Sequence, residues 1–294
     1  MKPSHSQPRS KREPGAEAEP GAGSLVLIAT PIGNLGDITA RALEGLKSAD
    51  VIACEDSRVT GKLLAAAGIE KPLLPYHDHN AEAMRPKLLA RIAAGAQVAL
   101  VSDAGTPLIS DPGYKLVQAA VAAGLAVTML PGPSAPVMAL ALSGLPSDRF
   151  LFGGFLPSKE QARAQALAEL AAVRATLVFF ESAPRLAKSL AAIDATLPGR
   201  EIAVARELTK LYEECRTGSA AELAAHYEAH PPKGEIVLLI GPPLEQATTA
   251  ADADTLLRAA LANEKPSQAA AQVARATGLD RKALYARALE LRDA

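Results

Sequence analysis

The chain has 294 residues, of which 49% are hydrophobic and 21% charged, with a formal net charge of −1. That length sets one to two domains as the expectation, and the composition is that of a folded soluble protein rather than a disordered one. It excludes a global basic field for holding nucleic acid, leaving only local patches. The two cysteines, Cys54 and Cys215, exclude a disulfide framework and a cysteine metal cluster, and both are expected reduced in a cytoplasmic setting.

No apolar run approaches the roughly 18 residues that cross a bilayer. Residues 25–28 are too short for a secretory segment and are soon followed by Pro31. Residues 1–23 lack an apolar period and read as a disordered tail, whose Arg9, Lys11 and Arg12 either contact a polyanion or are simply solvated. From Ser24 the pattern alternates. Residues 25–29 read as a buried strand, and Thr39 as the cap of a helix burying Ala42, Leu43 and Leu46. A strand at 51–54 and a helix at 60–67 ending at Gly68 follow, then a short strand near Leu73, a helix near 82–93 and a strand at 98–101. Asp111 and Pro112 read as the cap and first residue of the next helix, which buries Leu116, Val117, Ala120 and Val121 and ends at Gly124. Residues 127–130 are another strand. This is the βα alternation of a mostly parallel sheet with helices on both faces.

Pro131-Gly132-Pro133 punctuates the chain and marks a domain boundary. A second α/β unit is expected, with strands at 150–152, 176–180, 201–205 and 235–240 and helices near 159–173, 184–196 and 220–229. Residues 211–217 read as an extra strand or hairpin arm. After Pro242-Pro243 the composition turns to Ala, Leu and Arg. Ser267 and Asp280 are expected to cap two short helices separated by Gly278, an arrangement resembling a helix-turn-helix. The expected domains are therefore 24–132, 133–243 and 244–294.

Parallel strands deliver the loops that follow them to one sheet edge, where α/β proteins hold ligands. Here those loops carry Thr30 to Asn34, Glu55 to Arg58, Ser102 to Pro107 and Pro131 to Ala135. Each has a plainer reading. Pro31-x-Gly33 is also an ordinary turn, Asp103 an Asx-turn residue bonding its own loop amides, and Pro131 to Ser134 a linker. Glu55, Asp56 and Arg58 also read as a solvated ion-pair cluster. The functional reading has Asp103 accepting hydrogen bonds from a ligand hydroxyl or ammonium. No dinucleotide fingerprint, phosphate-binding loop or H-E-x-x-H occurs. His77 and His79 lack a third ligand nearby, so zinc is not expected.

The segments ATPIGNLGDIT, ACEDSR, LVSDAGTPLISDPG, LPGPSA, FFESAPR, AREL and KGEIVLLIGP occur in that order. Together they resemble the tetrapyrrole-methylase-like superfamily, and within it the branch of 16S rRNA 2′-O-ribose cytidine methyltransferases. The resemblance covers about residues 24–243, and the helical tail looks like that branch's C-terminal extension. It implies two α/β domains, a homodimer, and S-adenosylmethionine in the cleft between the domains. By position, Pro31, Gly33, Asp103, Gly105, Thr106, Pro107, Ser134 and Ala135 would hold that cofactor from one side. Phe180, Glu181, Ala205, Arg206, Lys233, Gly234 and Glu235 would form the facing wall. The implied product is the cytidine at position 1402 of 16S rRNA, in the decoding centre, methylated on its 2′ oxygen.

Methyl transfer from a sulfonium mainly requires positioning, yet a ribose hydroxyl must also lose its proton. Glu55 or Asp56 is expected to take it, with His77 and His79 as alternatives, while Arg58 binds a phosphate or the cofactor carboxylate. RNA contact is expected from Lys62, Arg85, Lys87 and Arg91, and from Arg275, Arg281, Lys282, Arg287 and Arg292, although solvated faces explain the second group equally well. Two rivals stand beside this reading: methylation of a tetrapyrrole carbon, and a non-catalytic DNA-binding regulator using the terminal helices.

Overall fold

A computed structural model describes residues 23–243 and 250–293. The expected tail, with Arg9, Lys11 and Arg12, lies outside the described residues but for Gly23. The chain divides into two compact units, up to Pro243 and from Leu244 onwards.

The first unit contains two five-stranded sheets. The first sheet holds β1 (Ser24–Ile28), β2 (Val51–Cys54), β3 (Leu73–Pro75), β4 (Gln97–Val101) and β5 (Ala126–Leu130). Their order is β3-β2-β4-β1-β5, with every pair parallel. The crossovers contain α1 (Ala40–Ser48), α2 (Ser57–Ala66), α3 (Ala81–Ala93) and α4 (Tyr114–Ala122). Strand side chains alternate between faces. Leu25, Leu27, Val98 and Leu100 pack with Leu88, Ile92 and Leu116 of α3 and α4. Val26, Ile28, Ala99 and Val101 pack with Ala42, Leu46 and Leu64 of α1 and α2. Burial on both faces is why these strands read as unbroken apolar runs.

Two helix starts among these crossovers differ from the sequence expectation. Helix α2 begins at Ser57 because Asp56 caps it, its side chain accepting from the Arg58 amide at 2.8 Å. Helix α4 begins only at Tyr114, after Gly113. Asp111 and Pro112 therefore stay in the loop instead of opening the helix: Leu108 and Ser110 take left-handed backbone, at φ of 74° and 66°, and Gly113 at 133° breaks the path into helical geometry.

Past Pro133 come α5 (Ala135–Leu142), β6 (Phe150–Phe155), α6 (Glu160–Glu169), β7 (Thr176–Ser182), α7 (Leu186–Thr196), β8 (Glu201–Arg206), β9 (Glu214–Ser219), α8 (Ala220–Ala229) and β10 (Glu235–Ile240). The second sheet runs β6-β7-β10-β8-β9 and is mixed: only β6 and β7 pair in parallel. The expected arm at 211–217 is β9, antiparallel to β8, with residues 211–213 still in the turn. Helices α6, α7 and α8 cover one face through Leu167, Leu186, Leu190, Ile193, Leu223 and Tyr227. On the other face Ala139 and Leu140 of α5 join Val178, Ala203, Ala205, Val237 and Leu239. Ile32, from the loop after β1, is buried in that same cluster, so a loop of the first sheet is keyed into the core of the second.

The second unit contains α9 (Ala250–Leu261), α10 (Pro266–Thr277) and α11 (Arg281–Asp293), packed around Leu257, Ala270, Val273, Leu284 and Ala288. Asp280 caps α11, accepting from the Ala283 amide at 2.8 Å. Lys265, not Ser267, precedes α10, with Pro266 at the first position, where its missing N–H costs nothing. Among the described residues no helix is long and apolar enough to cross a membrane.

Candidate active site

The loops after β1, β2, β4 and β5 are stitched together at one sheet edge. Thr30 and Gly105 exchange backbone hydrogen bonds at 2.9 and 3.0 Å. The Thr30 hydroxyl donates to the Ser102 carbonyl at 3.1 Å. The Asp56 amide donates to Asp103 Oδ1 at 3.0 Å, so Asp103 ties two loops together rather than closing an Asx-turn in its own. The Thr106 hydroxyl donates to the Pro133 carbonyl at 3.0 Å. Gly105, at φ +79°, has a backbone that a larger residue adopts only under strain, and a Cβ there would press on Ile32.

Above this floor, between the two sheets, lies a cleft of about 350 Å³, within the range of small-molecule sites. Loops of the first sheet line it with Ile32, Ala104 to Thr106 and Ile109 to Asp111. The chain beyond Pro133 contributes Ser134 to Pro136, Phe155, Phe180 to Ser182, Leu208 and Gly234 to Val237. Gly105, Thr106, Ser134, Ala135, Phe180, Glu181, Gly234 and Glu235 line this cleft.

The remaining expected residues stand behind or beside the wall. Pro31 and Gly33 flank Ile32, and Gly33 lies under Lys210, whose Cγ sits 2.6 Å from where a Cβ would be. Pro107 is buried. Ala205 belongs to the core beneath the wall. Arg206 turns to Glu214 at 2.6 Å. Lys233 is exposed. The Glu181 carboxylate is buried and points into its own lobe, accepting from the Ser182 amide at 2.8 Å and the Ser189 hydroxyl at 2.5 Å and pairing with Arg185. Glu55, Asp56 and Arg58 are off the wall. Asp56 is occupied by its cap and by Arg58, 2.6 Å away, which pulls its carboxyl down to about 2.

Three wall residues carry chemistry that the motif reading missed. Asp111 lines the cleft half-buried. Burial first, then the charge of Glu55, pushes its carboxyl up to about 6, partly opposed by a hydrogen bond from Ser102. Glu55 is also raised, by burial and by Asp103 and Asp78, with His77 working the other way. Phe155 and Leu208 give the cleft apolar faces, with the Phe155 ring 5.5 Å from that of Phe180. Asp111 was within reach of the sequence: it sits in the same strand-end segment as Asp103, but an Asp-Pro pair looks like a helix start.

Opposite, the loop after β8 forms a clasp. Lys210 Nζ reaches Glu207 Oε1 at 2.9 Å and Glu235 Oε2 at 2.7 Å, while the Glu235 amide donates to Glu207 Oε1 at 3.1 Å. Glu207 and Thr209 take left-handed backbone, as Leu108 and Ser110 do on the facing loop. Such strain persists only where surrounding structure enforces it, and it clusters at ligand sites.

Residues 24–224 match the family described as Tetrapyrrole (Corrin/Porphyrin) Methylases, and residues 247–292 match the RsmI C-terminal HTH domain. The ribosomal RNA small subunit methyltransferase I of Erythrobacter litoralis is 62% identical over 275 residues, 94% of this chain and 98% of that protein. The protein of the same description from Mesorhizobium japonicum is 54% identical over 278 residues, 94% and 95% of the two chains. Among solved structures, the uroporphyrin-III-C-methyltransferase of Thermus thermophilus superposes with a TM-score of 0.53 at 24% identity, covering 74% of this chain and 94% of that one, a likeness of fold. The chain therefore belongs to the tetrapyrrole methylases, in the branch of ribosomal RNA small subunit methyltransferase I.

Proposed function

We propose that this chain uses S-adenosylmethionine to methylate small-subunit ribosomal RNA, on the ribose 2′ oxygen of the cytidine at position 1402 of 16S rRNA. The observation that carries the reading is likeness along both units, 62% identity over 94% of the chain, to a protein named for methylating that RNA. We take residues 24–132 and 133–243 as the two lobes and 244–294 as the helix-turn-helix extension. We read the active species as a cytoplasmic homodimer working on the ribosomal subunit.

The cleft suits S-adenosylmethionine. Ile32, Phe155, Phe180 and Leu208 offer apolar faces to an adenine ring, and Thr106, Ser110 and Ser134 supply hydroxyls for its polar groups. Gly105 and Gly234 let backbone amides and carbonyls come close. The carboxylates of Glu55 and Asp103 favour a cation nearby. Pro31 and Gly33 position Ile32, Ala205 and Arg206 support the wall from behind, and Lys233 leads into the Gly234 turn.

When bound, S-adenosylmethionine supplies a methyl group on a positively charged sulfur that is itself the leaving group. The chain's residues position both reactants, exclude water with apolar walls, and provide a carboxylate for the hydroxyl proton. Of the expected acceptors, Asp56 is held by Arg58, which leaves Glu55, with His77 and His79 as alternatives. Lys62, Lys87 and Arg91 are exposed and available to phosphates, as are Arg275, Arg281 and Lys282; Arg85 is half-buried. Arg287 is taken up by Asp254 and Glu290, within the helical unit.

The test is labelled methyl transfer to small subunits from a strain lacking this protein, with the product mapped by mass spectrometry. One methyl on the ribose of that cytidine is expected. Label confined to a porphyrin precursor, or none in the subunit, refutes the reading.

A further inference from the structure

Three carboxylate residues line the cleft: Glu181, Glu235 and Asp111. Glu181 is consumed by the Ser182 amide, the Ser189 hydroxyl and Arg185. Glu235 is held by Lys210. Asp111 meets no cation among the described residues; its neighbours are the Ser102 hydroxyl and the carboxylates of Glu55 and Asp103. It is thus the wall carboxylate without a cation partner among the described residues. The start of its loop is held by the Thr30–Gly105 and Thr106–Pro133 hydrogen bonds.

We propose that Asp111, on the cleft wall, accepts the proton of the RNA hydroxyl as that hydroxyl is methylated. The proposal rests on the reading that this cleft methylates a ribose. The acceptor oxygen forms its bond to the methyl carbon, the carbon–sulfur bond breaks with its electron pair going to sulfur, and the hydroxyl proton passes to a carboxylate oxygen of Asp111. Charge balances: a sulfonium and a carboxylate become a neutral sulfide and a neutral carboxylic acid. An ordinary aspartate is a feeble base toward a hydroxyl. Burial and two like-charged neighbours strengthen this one, holding its pKa at about 6, close to the working pH at which a general base is most effective. The charged groups around it are Asp103 on its own loop and Glu55 on the loop after β2; behind Glu55 stand Asp56, Asp78 and His77, with Arg58 folded onto Asp56.

The experiment compares the full chain with Asp111→Asn, Asp111→Glu and Glu55→Gln. The readouts are single-turnover methyl transfer to subunits from pH 5 to 8, S-adenosylmethionine affinity by calorimetry, and NMR titration of the ¹³C-labelled Asp111 carboxyl without ligand. In the wild type, the rate is expected to rise about tenfold per pH unit below the Asp111 pKa and then level off. Asp111→Asn is expected to cost about 10²–10⁴ in rate and to abolish that rise, while affinity stays within about threefold. Asp111→Glu keeps a rise, and Glu55→Gln shifts it to lower pH by removing a like charge. The carboxyl is expected to titrate near 6. The proposal is overturned by an Asn variant that keeps its rate, by affinity falling in step with rate, or by a rise that survives in Asp111→Asn and vanishes in Glu55→Gln. It is likewise overturned by a carboxyl titrating near 4, which needs no variant to fold. If wild-type protein leaves subunits unmethylated, the reading above fails and takes the proposal with it; if wild type methylates and Asp111→Asn does so equally, only the proposal fails.

Discussion

Gly234→Ala isolates the clasp from everything else at the cleft. Gly234 sits at φ +86°, and a Cβ there would overlap the Glu207 carboxylate and come within 2.7 Å of its Cγ. The left-handed backbone costs alanine about 1–2 kcal/mol. Moving Glu207 away loses the Glu235 amide hydrogen bond at 3.1 Å and the Lys210 pair at 2.9 Å, each worth about 1 kcal/mol or less at this exposure. Alanine's smaller unfolded-state entropy returns about 0.4–1 kcal/mol. A net loss of about 2 kcal/mol in urea unfolding is expected. Because Gly234 to Val237 line the cleft, S-adenosylmethionine affinity should also fall about tenfold by calorimetry. Glu207→Ala in the same chain removes the overlap, so the double variant should be less destabilised than the two single losses added together. Strict additivity, or unchanged affinity in Gly234→Ala, would refute the clasp as part of the wall.

Other perturbations separate binding, stability and RNA contact. Asp103→Ala removes the 3.0 Å tie to the Asp56 amide, a charge-assisted bond worth about 1.5–3 kcal/mol, and should weaken S-adenosylmethionine binding at least about tenfold; near-wild-type calorimetry would sink it. Asp111→Asn should stabilise the fold at neutral pH. Its carboxyl is raised from 3.8 to about 6, so the fold favours the protonated form, and that contribution is present below about 4 and lost as pH rises through about 6. The variant should gain about 1–2 kcal/mol at pH 7, allowing for solvent screening, and nothing at pH 3.5; a less stable variant at pH 7 contradicts the electrostatics. Removing residues 245–294 should weaken subunit binding more than cofactor binding, and equal losses would argue for a folding role. Arg281→Ala with Lys282→Ala should lower RNA affinity and flatten its salt dependence while leaving thermal unfolding unchanged, whereas Arg287→Ala should destabilise the helical unit through Asp254; the opposite pattern would move the RNA surface elsewhere.

The parallel sheet was legible because burial on both faces leaves apolar runs in its inner strands, so β1, β2 and β4 announce themselves and the loops after them line up by topology alone. The second sheet was less so. Its strands were found, but nothing local distinguishes a parallel neighbour from an antiparallel one, and the turn joining β8 to β9 bears exposed Leu211 and Tyr212 that look like strand. The cleft itself was half legible. Small residues on its wall, such as Gly105, Ser134 and Gly234, carry the motif, and a motif is a statement about backbone. Misplaced residues fall where local rules are overridden by tertiary ones. Asp111 obeys the grammar of a helix start, yet left-handed Leu108 and Ser110 and the turn at Gly113 hold it out among other carboxylates. Glu181 lies on the wall in sequence, yet Ser189 and Arg185 draw its charge inward. Arg206, expected on the facing wall, and Arg287, expected to meet RNA, are instead claimed by Glu214 and Asp254. Where strain and like charge are kept against stability, function is the reason to look for, because a sequence under no other demand relaxes both. The Leu108–Asp111 and Glu207–Lys210 loops, facing each other across one cleft, are the places in this chain where that reasoning applies.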